Sequence, residues 1–211
     1  MRGLLYALII SVVVGVVAHD ALAQTRGATP ARGTAPAPAG AARGTAPARP
    51  SAGAGPILVF ETAKGSIEIE TYPVESPKSV EHILALVKRN FYNGLRIHRV
   101  EPGFVVQFGD PQTRDMTKKA LWGTRGSGQD IGVSEATRKR IHVLGAVALA
   151  HAGDPRAADS QMYITMAPVP RLDGKFTVIG QVISGMEVVS ALRVNDVIRR
   201  ATVKAPATAT K

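Results

Sequence analysis

The sequence predicts a mainly β domain, an antiparallel barrel closed on itself with two helices set well apart. Three observations carry this reading. Short apolar segments follow one another with Gly, Pro, Asn and Asp between them, the pattern of strands joined by turns. Only two windows, 77–89 and 185–192, repeat apolar residues at helical spacing. The 211 residues include no cysteine, so an apolar core must hold the fold without disulfides.

The stretch before the domain reads differently. Arg2 precedes an apolar run, Leu4 to Ala18, that is short for a membrane span, and Ala21-Leu22-Ala23 is an A-x-A cleavage pattern. Residues 1–23 are expected to be a cleaved secretory signal. That places the mature protein in the periplasm, or secreted, with no membrane span left after cleavage. No cysteine follows the cut to carry a lipid. Residues 24–55 are almost wholly Ala, Pro, Gly, Thr and Arg, and Gly-Thr-Ala-Pro occurs at 33–36 and again at 44–47. Such a segment has little apolar bulk to bury and is expected to be a disordered linker. From Pro56 onward the chain is long enough for one domain with its own core.

In chain order, Ile57 to Phe60 and Ser66 to Thr71 read as a hairpin turning at Lys64-Gly65, with Ile67 and Ile69 alternating against Glu68 and Glu70. Ser76 is an N-cap with Pro77 at the first helical position, and Val80, Ile83, Leu84 and Val87 form one apolar face. Lys88 and Arg89 suit its last turn. Ile97 to Asp110 holds two strands with a bend at Pro102-Gly103. Period-2 alternation puts Val105 and Gln107 on one face of the second strand and Val106 and Phe108 on the other. The bend folds Arg99 back toward Phe104 and Gln107, which sets a fixed cation, a flat apolar wall and an amide in one concavity. Residues 111–141 read as a long surface loop with a short helical turn at Ser134 to Arg140. Val143 to Ala150 and Ser160 to Thr165 are strands, and Asp173-Gly174 is a tight hairpin turn. Gly185 to Leu192 is the second helix, with Met186, Val188, Val189 and Leu192 facing inward. Asp196 to Val203 is the last strand, and the Ala/Thr-rich end, 205–211, is a flexible tail.

The run Ile97-His98-Arg99-Val100-Glu101-Pro102-Gly103-Phe104-Val105-Val106-Gln107-Phe108-Gly109-Asp110 closely resembles the "FHRvipgFmiQgGD" segment of the cyclophilins, the peptidyl-prolyl cis/trans isomerases. Further matches follow in the family's order: Ser76 to Ile83, Phe91-Tyr92-Asn93-Gly94, Val147 to Gly153, Ser160 to Ile164, and Leu172 to Gly180. Together they span nearly all of 57–203. The resemblance implies an eight-stranded antiparallel barrel capped by two α-helices over 56–204. It implies an isomerase that rotates X-Pro bonds in exported proteins as they fold. Arg99 matches the catalytic arginine, Phe104 the ring beneath the substrate proline, and Gln107 the glutamine that orders the arginine and the substrate carbonyl. Val105, Ala150, His151, Gln161, Tyr163, Leu172 and Phe176 match the substrate groove. Partners implied are proline-containing unfolded or extended segments, met by a monomer.

Three positions and one loop depart from the family pattern. Arg171 stands where many members carry the tryptophan that binds cyclosporin, so weak cyclosporin binding is expected. Phe176 replaces a common histidine, His151 replaces asparagine, and the loop from Gly153 to Ser160 is one residue longer than the commonest form.

Other chemistries lack their motifs. The five histidines show no H-E-x-x-H spacing, and without cysteine there is no zinc set, so no metal is expected. Gly123, Gly126 and Gly128 miss G-x-G-x-x-G because position 131 is isoleucine, and no G-K-[ST] follows, so no cofactor is expected. Ser127 lies in Gly126-Ser127-Gly128 rather than a nucleophile elbow. Five of the 26 Lys and Arg and one of the 16 acids precede Pro56, leaving a surplus of six positive charges on the rest. Aromatics are only 5% of the chain and form no stripe among the basic residues, which argues against nucleic acid. Two other readings stand beside it, a cyclophilin-shaped module that binds proline segments without turnover, and a general chaperone acting independently of Arg99.

Overall fold

The computed structural model describes residues 55–205. The predicted signal (1–23), all but the last residue of the linker and most of the tail lie outside the described residues. The strands are β1 (Ile57–Thr62), β2 (Gly65–Thr71), β3 (Arg99–Glu101), β4 (Val105–Phe108), β5 (Ala146–Leu149), β6 (Met162–Thr165), β7 (Val178–Ser184) and β8 (Ile198–Lys204). The helices are α1 (Pro77–Lys88) and α2 (Met186–Ala191). All eight strands belong to one sheet in the order β3-β4-β6-β5-β7-β2-β1-β8, and every ladder is antiparallel. The two edges meet where the chain approaches them. Gly94 N–H donates to Ile198 C=O at 2.8 Å, Ile97 N–H to Asp196 C=O at 2.9 Å, and Ile198 N–H to Leu95 C=O at 2.8 Å. The sheet therefore curls into a barrel whose closing seam is this short stretch rather than a ladder between β3 and β8.

The core follows from strand alternation. Leu58, Phe60, Ile67, Ile69, Val106, Phe108, Val147, Leu149, Met162 and Ile164 pack into one buried cluster with the inward residues of both helices. Within it Phe60 lies edge-on to Tyr92 at 5.4 Å and to Phe108 at 5.2 Å between ring centroids, a favourable quadrupole arrangement. The intervening residues Val105, Ala146, Ala148, Tyr163 and Val178 form a second, smaller cluster on the opposite face.

Both helices stand where their spacing predicts, with Leu86 joining the inward face of α1. The cap of α1 differs from expectation. Ser76 occupies the N-cap position, but its hydroxyl donates to Val178 C=O at 3.0 Å and makes no cap bond. The free N–H groups of Lys78 and Ser79 instead donate to the two carboxylate oxygens of Glu135, each at 2.9 Å. A carboxylate from a distant loop thus satisfies the helix end and complements its dipole.

That loop corrects a second expectation. Residues 134–140 hold no helical turn; short 3-10 turns form earlier, at Pro111–Arg114 and Met116–Leu121. The loop is held by buried acids rather than by its own helix. Asp110 accepts from the backbone N–H groups of Gln112, Gly123 and Arg125 at 2.7, 2.6 and 3.1 Å. Asp159 accepts from Ser127 Oγ at 2.6 Å and from Gly128 N–H at 3.0 Å, and pairs with His82 Nε2 at 2.8 Å. Burial alone raises the Asp159 carboxyl, but these bonds outweigh it and hold the group below the usual carboxylate range.

Asp173-Gly174 is a turn but not a hairpin, because β6 and β7 do not pair with each other. β5 lies between them. A 3-10 turn at Pro170–Leu172 precedes it and carries the chain across.

Candidate active site

The site grows from the β3–β4 hairpin. Pro102 and Gly103 occupy the two central turn positions, and Phe104 N–H donates to Glu101 C=O at 3.0 Å. Gly103 has φ +71°, the left-handed value that the third position of a type II turn demands. This tight turn fixes the register: Arg99 opposes Gln107 and Glu101 opposes Val105. Directly opposed residues share a face, so Arg99, Glu101, Val105 and Gln107 project together. The row extends across the sheet through Gln107, Tyr163 and Ala148.

Three contacts hold the Arg99 guanidinium. Nε donates to Glu101 Oε1 at 2.7 Å, and Nη2 meets the same oxygen at 2.6 Å. Nη1 donates to Gln107 Oε1 at 3.2 Å. Gln107 in turn donates from Nε2 to Gln161 Oε1 at 2.9 Å, and Gln161 Nε2 is fixed by the carbonyls of Gly123 and Arg125 at 2.9 Å each. The chain of amides leaves each member one orientation. Arg99 Cζ stands 5.6 Å from the centroid of the Phe104 ring.

Phe104, Ala150, Leu172 and Phe176 pack on Val105 and Tyr163 in the second cluster. Phe176 meets Tyr163 edge-on at 5.8 Å and stacks on His151 at 4.4 Å. His151 Nε2 lies 3.1 Å from Lys175 C=O. All ten residues singled out in the sequence therefore lie on one side of the sheet. A cavity of about 240 Å³ opens at the Gln107 end, lined among others by Arg125, Ala150, His151, Asp159 and Gln161.

Three features were not anticipated. Glu101 binds Arg99, although its position two residues on in a strand signals a shared face. Arg171 lies with its Cζ 4.4 Å from the Phe104 centroid, so two guanidiniums share one ring. The third is a relay beneath the groove. Asp173 Oδ1 accepts from the His142 backbone N–H and lies 2.8 Å from His142 Nδ1, while His142 Nε2 lies 3.0 Å from Tyr163 Oη. Hydrogen bonding from His142 holds the Asp173 carboxyl below its ordinary value. An ionised carboxylate only accepts, so Nδ1 carries the proton and, in the neutral ring, Nε2 accepts from the tyrosine hydroxyl. Burial, then the nearby Asp173 charge, pushes the Tyr163 hydroxyl well up, so it stays protonated and donates. His98, directly before Arg99, is pushed down to about 4, mainly by burial, with Arg99 adding to the shift and Asp110 and Gln161 opposing it.

The arrangement offers a guanidinium with a planar fork of donors, an apolar wall beside it, and a glutamine with both ends engaged. It has donors and apolar surface, its one hydroxyl–imidazole pair, Tyr163–His142, is buried beneath them, and among the described residues there is no cluster of three metal-ligating groups. Such a site suits non-covalent work on a polar bond next to an apolar ring.

The family comparison bears on this geometry. Residues 57–210 match the model of the family described as cyclophilin type peptidyl-prolyl cis-trans isomerase/CLD. The peptidylprolyl isomerase domain and WD repeat-containing protein 1 of Mus musculus is 38% identical over 134 residues, 64% of this chain. The chain spans only 20% of that relative's length. Peptidyl-prolyl cis-trans isomerase-like 1 of Aspergillus fumigatus is 36% identical over 141 residues, covering 64% of this chain and 80% of that protein. Among solved structures, a cyclophilin-type isomerase from Cryptosporidium parvum, determined in the presence of the dipeptide Ala-Pro, superposes with a TM-score of 0.61. At 20% identity, covering 71% of this chain and 99% of that one, it shows the fold alone. The fold and site define an eight-stranded antiparallel barrel that carries an arginine, a phenylalanine and a glutamine together on its outer face. The chain belongs to the cyclophilin-type peptidyl-prolyl cis/trans isomerase family.

Proposed function

We propose that the protein is a peptidyl-prolyl cis/trans isomerase that accelerates X-Pro rotation in exported proteins during folding, with Arg99 as its catalytic group. The observation that carries this is the placement of the Arg99 guanidinium, bonded to Gln107 and 5.6 Å from the Phe104 ring. A prolyl ring packs on Phe104, Gln107 meets the substrate carbonyl, and the guanidinium faces the prolyl nitrogen. Val105, Leu172, Phe176 and Tyr163 wall the slot; Ala150, His151 and Gln161 meet the peptide toward the cavity.

The chemistry needs no bond made or broken. Rotation about an X-Pro bond crosses a barrier of about 18–20 kcal/mol set by amide resonance. At the twisted transition state that resonance is lost, the nitrogen becomes pyramidal, and its lone pair accepts a hydrogen bond that the planar amide accepts poorly. A donor already aimed there binds the transition state better than either isomer. One preorganised donor of this kind contributes roughly 2.7–4 kcal/mol, two to three powers of ten in rate.

The test is NMR exchange on an Ala-Pro peptide with the full-length chain. Acceleration is expected, and Arg99→Ala reduces it by at least tenfold, about 1.4 kcal/mol of lost transition-state binding. A wild type that gives no acceleration at any concentration overturns the reading. One observation favours a binding module instead: Arg171 at 4.4 Å covers part of the Phe104 ring on which a proline must pack. Peptide binding without exchange acceleration would select that alternative.

The setting is read from the sequence. The signal-like residues 1–23 support export to the periplasm, and N-terminal sequencing of the exported protein tests the cut after Ala23. Arg171 in place of tryptophan supports weak cyclosporin binding, and the groove works in a monomer, checked by sedimentation.

A further inference from the structure

Two guanidiniums share the Phe104 ring, and they differ in what they hold. Arg99 is bound by the Glu101 carboxylate and Gln107. Arg171 is exposed, and its guanidinium lies over the ring, with Cζ 4.4 Å from the centroid. A guanidinium held over a ring face by cation–π attraction keeps its N–H donors for an acceptor. The ring thus carries two cations and one anion.

The nearby acids do not supply the missing charge. Asp173, two residues on, is engaged by His142. The neighbours on that turn add to the imbalance. Lys175 is exposed, and the Arg138 side chain lies against the turn, where a Cβ at Gly174 would meet its Cγ at 3.1 Å and Nε at 3.4 Å.

The position of Arg171 along the groove is also defined. Along β4 the register runs from Val105 opposite Thr165 to Phe108 opposite Met162, and Met166 N–H donates to Phe104 C=O at 2.8 Å. Phe104 and the 166–172 segment therefore lie at one end of β4 and β6. Gln107, Gln161 and Ala150, which line the cavity, lie toward the other. A peptide seated across Phe104 has one flank in the cavity and the other at Arg171.

We propose that Arg171 is a specificity-determining residue that selects X-Pro segments carrying an Asp or Glu carboxylate on the flank directed away from the cavity. The inference rests on Phe104 being the proline seat. The substrate carboxylate then takes the guanidinium fork in a two-point bond and completes the charge balance over the ring.

The experiment uses the full-length chain and blocked peptides of the form Ala-Xaa-Pro-Yaa-Ala, with Glu or Gln at Xaa or at Yaa. Exchange NMR reads turnover, and shift titration of the arginine Nε resonances reads binding. At low salt, Glu on one flank only is expected to raise kcat/KM about fivefold over Gln, through KM, the scale of a well-formed exposed ion pair. The preference shrinks to under about twofold in roughly 0.5 M NaCl. It is lost in Arg171→Met and partly kept in Arg171→Lys, which retains the charge but not the fork. Equal handling of Glu and Gln peptides at low salt overturns the proposal. So does an acid preference on both flanks that survives in Arg171→Met, because that belongs to the net charge of the domain. If no peptide is turned over, the isomerase reading falls, while the shift titration still decides whether Arg171 selects acids.

Discussion

The two faces of β4 differ in kind, although their residues alternate one by one. Val106 and Phe108 point into the main core, where Phe60 and Tyr92 close around them. Val105 and Gln107 point the other way, into a shallow cluster whose rim is charged and partly wet. The inner face is held by apolar area and shape. The outer face is held by directed bonds, Gln107 to Arg99 and Gln107 to Gln161. Stability and chemistry are therefore separated by a single peptide unit.

The sharpest way to break that contrast is to truncate one residue on each side. Phe108→Ala removes a buried ring from the Phe60–Tyr92 contact and is expected to cost about 3–5 kcal/mol in urea unfolding. The fraction that remains folded should isomerise within about threefold of wild type. Gln107→Ala should do the reverse, with about 1 kcal/mol lost from stability and roughly tenfold from the rate. A Gln107 variant that loses as much stability as the Phe108 variant would show that the faces are not independent.

A second effect, somewhat smaller, lies just behind Arg99. His98 in the folded chain titrates at about 4, against about 6.5 when unfolded. Between those values the unfolded chain holds more protons, so stability falls as pH drops. The contribution is absent above pH 6.5 or so and reaches about 3 kcal/mol of destabilisation near pH 4. Urea midpoints at pH 7, 5.5 and 4.5 should show this slope, and His98→Gln should flatten it. Carboxylates held low, such as Asp159 and Asp173, act below that window, so an unchanged slope in the variant would remove His98 as the cause.

What the sequence discloses follows the same division. The alternation of Val105, Val106, Gln107 and Phe108 is local, and both helices announce themselves by spacing. The Pro102-Gly103 bend likewise predicts the hairpin that brings Arg99 to Gln107. Contacts between residues far apart in the chain leave no such trace. Glu135 capping α1 spans more than fifty residues, and the strand order β6-β5-β7 makes Asp173-Gly174 a crossing turn rather than a hairpin. His142 and Asp173 look like a packing residue and a turn residue until the fold sets Tyr163 above them. Glu101 is the exception, because its period-2 spacing from Arg99 already puts the two on one face of the strand.

Glu101 also supplies the finest probe of the outer face. Its bond to Arg99 is short but half-exposed on both sides, with 44% and 49% of the side chains accessible. Exposed ion pairs contribute only about 0.2–1 kcal/mol. The sheet register, by contrast, places Arg99 opposite Gln107 whatever Glu101 does. Glu101→Gln keeps an acceptor for Nε and removes the charge. If register and Gln107 are what aim the guanidinium, kcat/KM should change by no more than about threefold and stability by under roughly 0.5 kcal/mol. A loss as large as that of Arg99→Ala would mean that the carboxylate, rather than the strand pairing, sets the arginine in place.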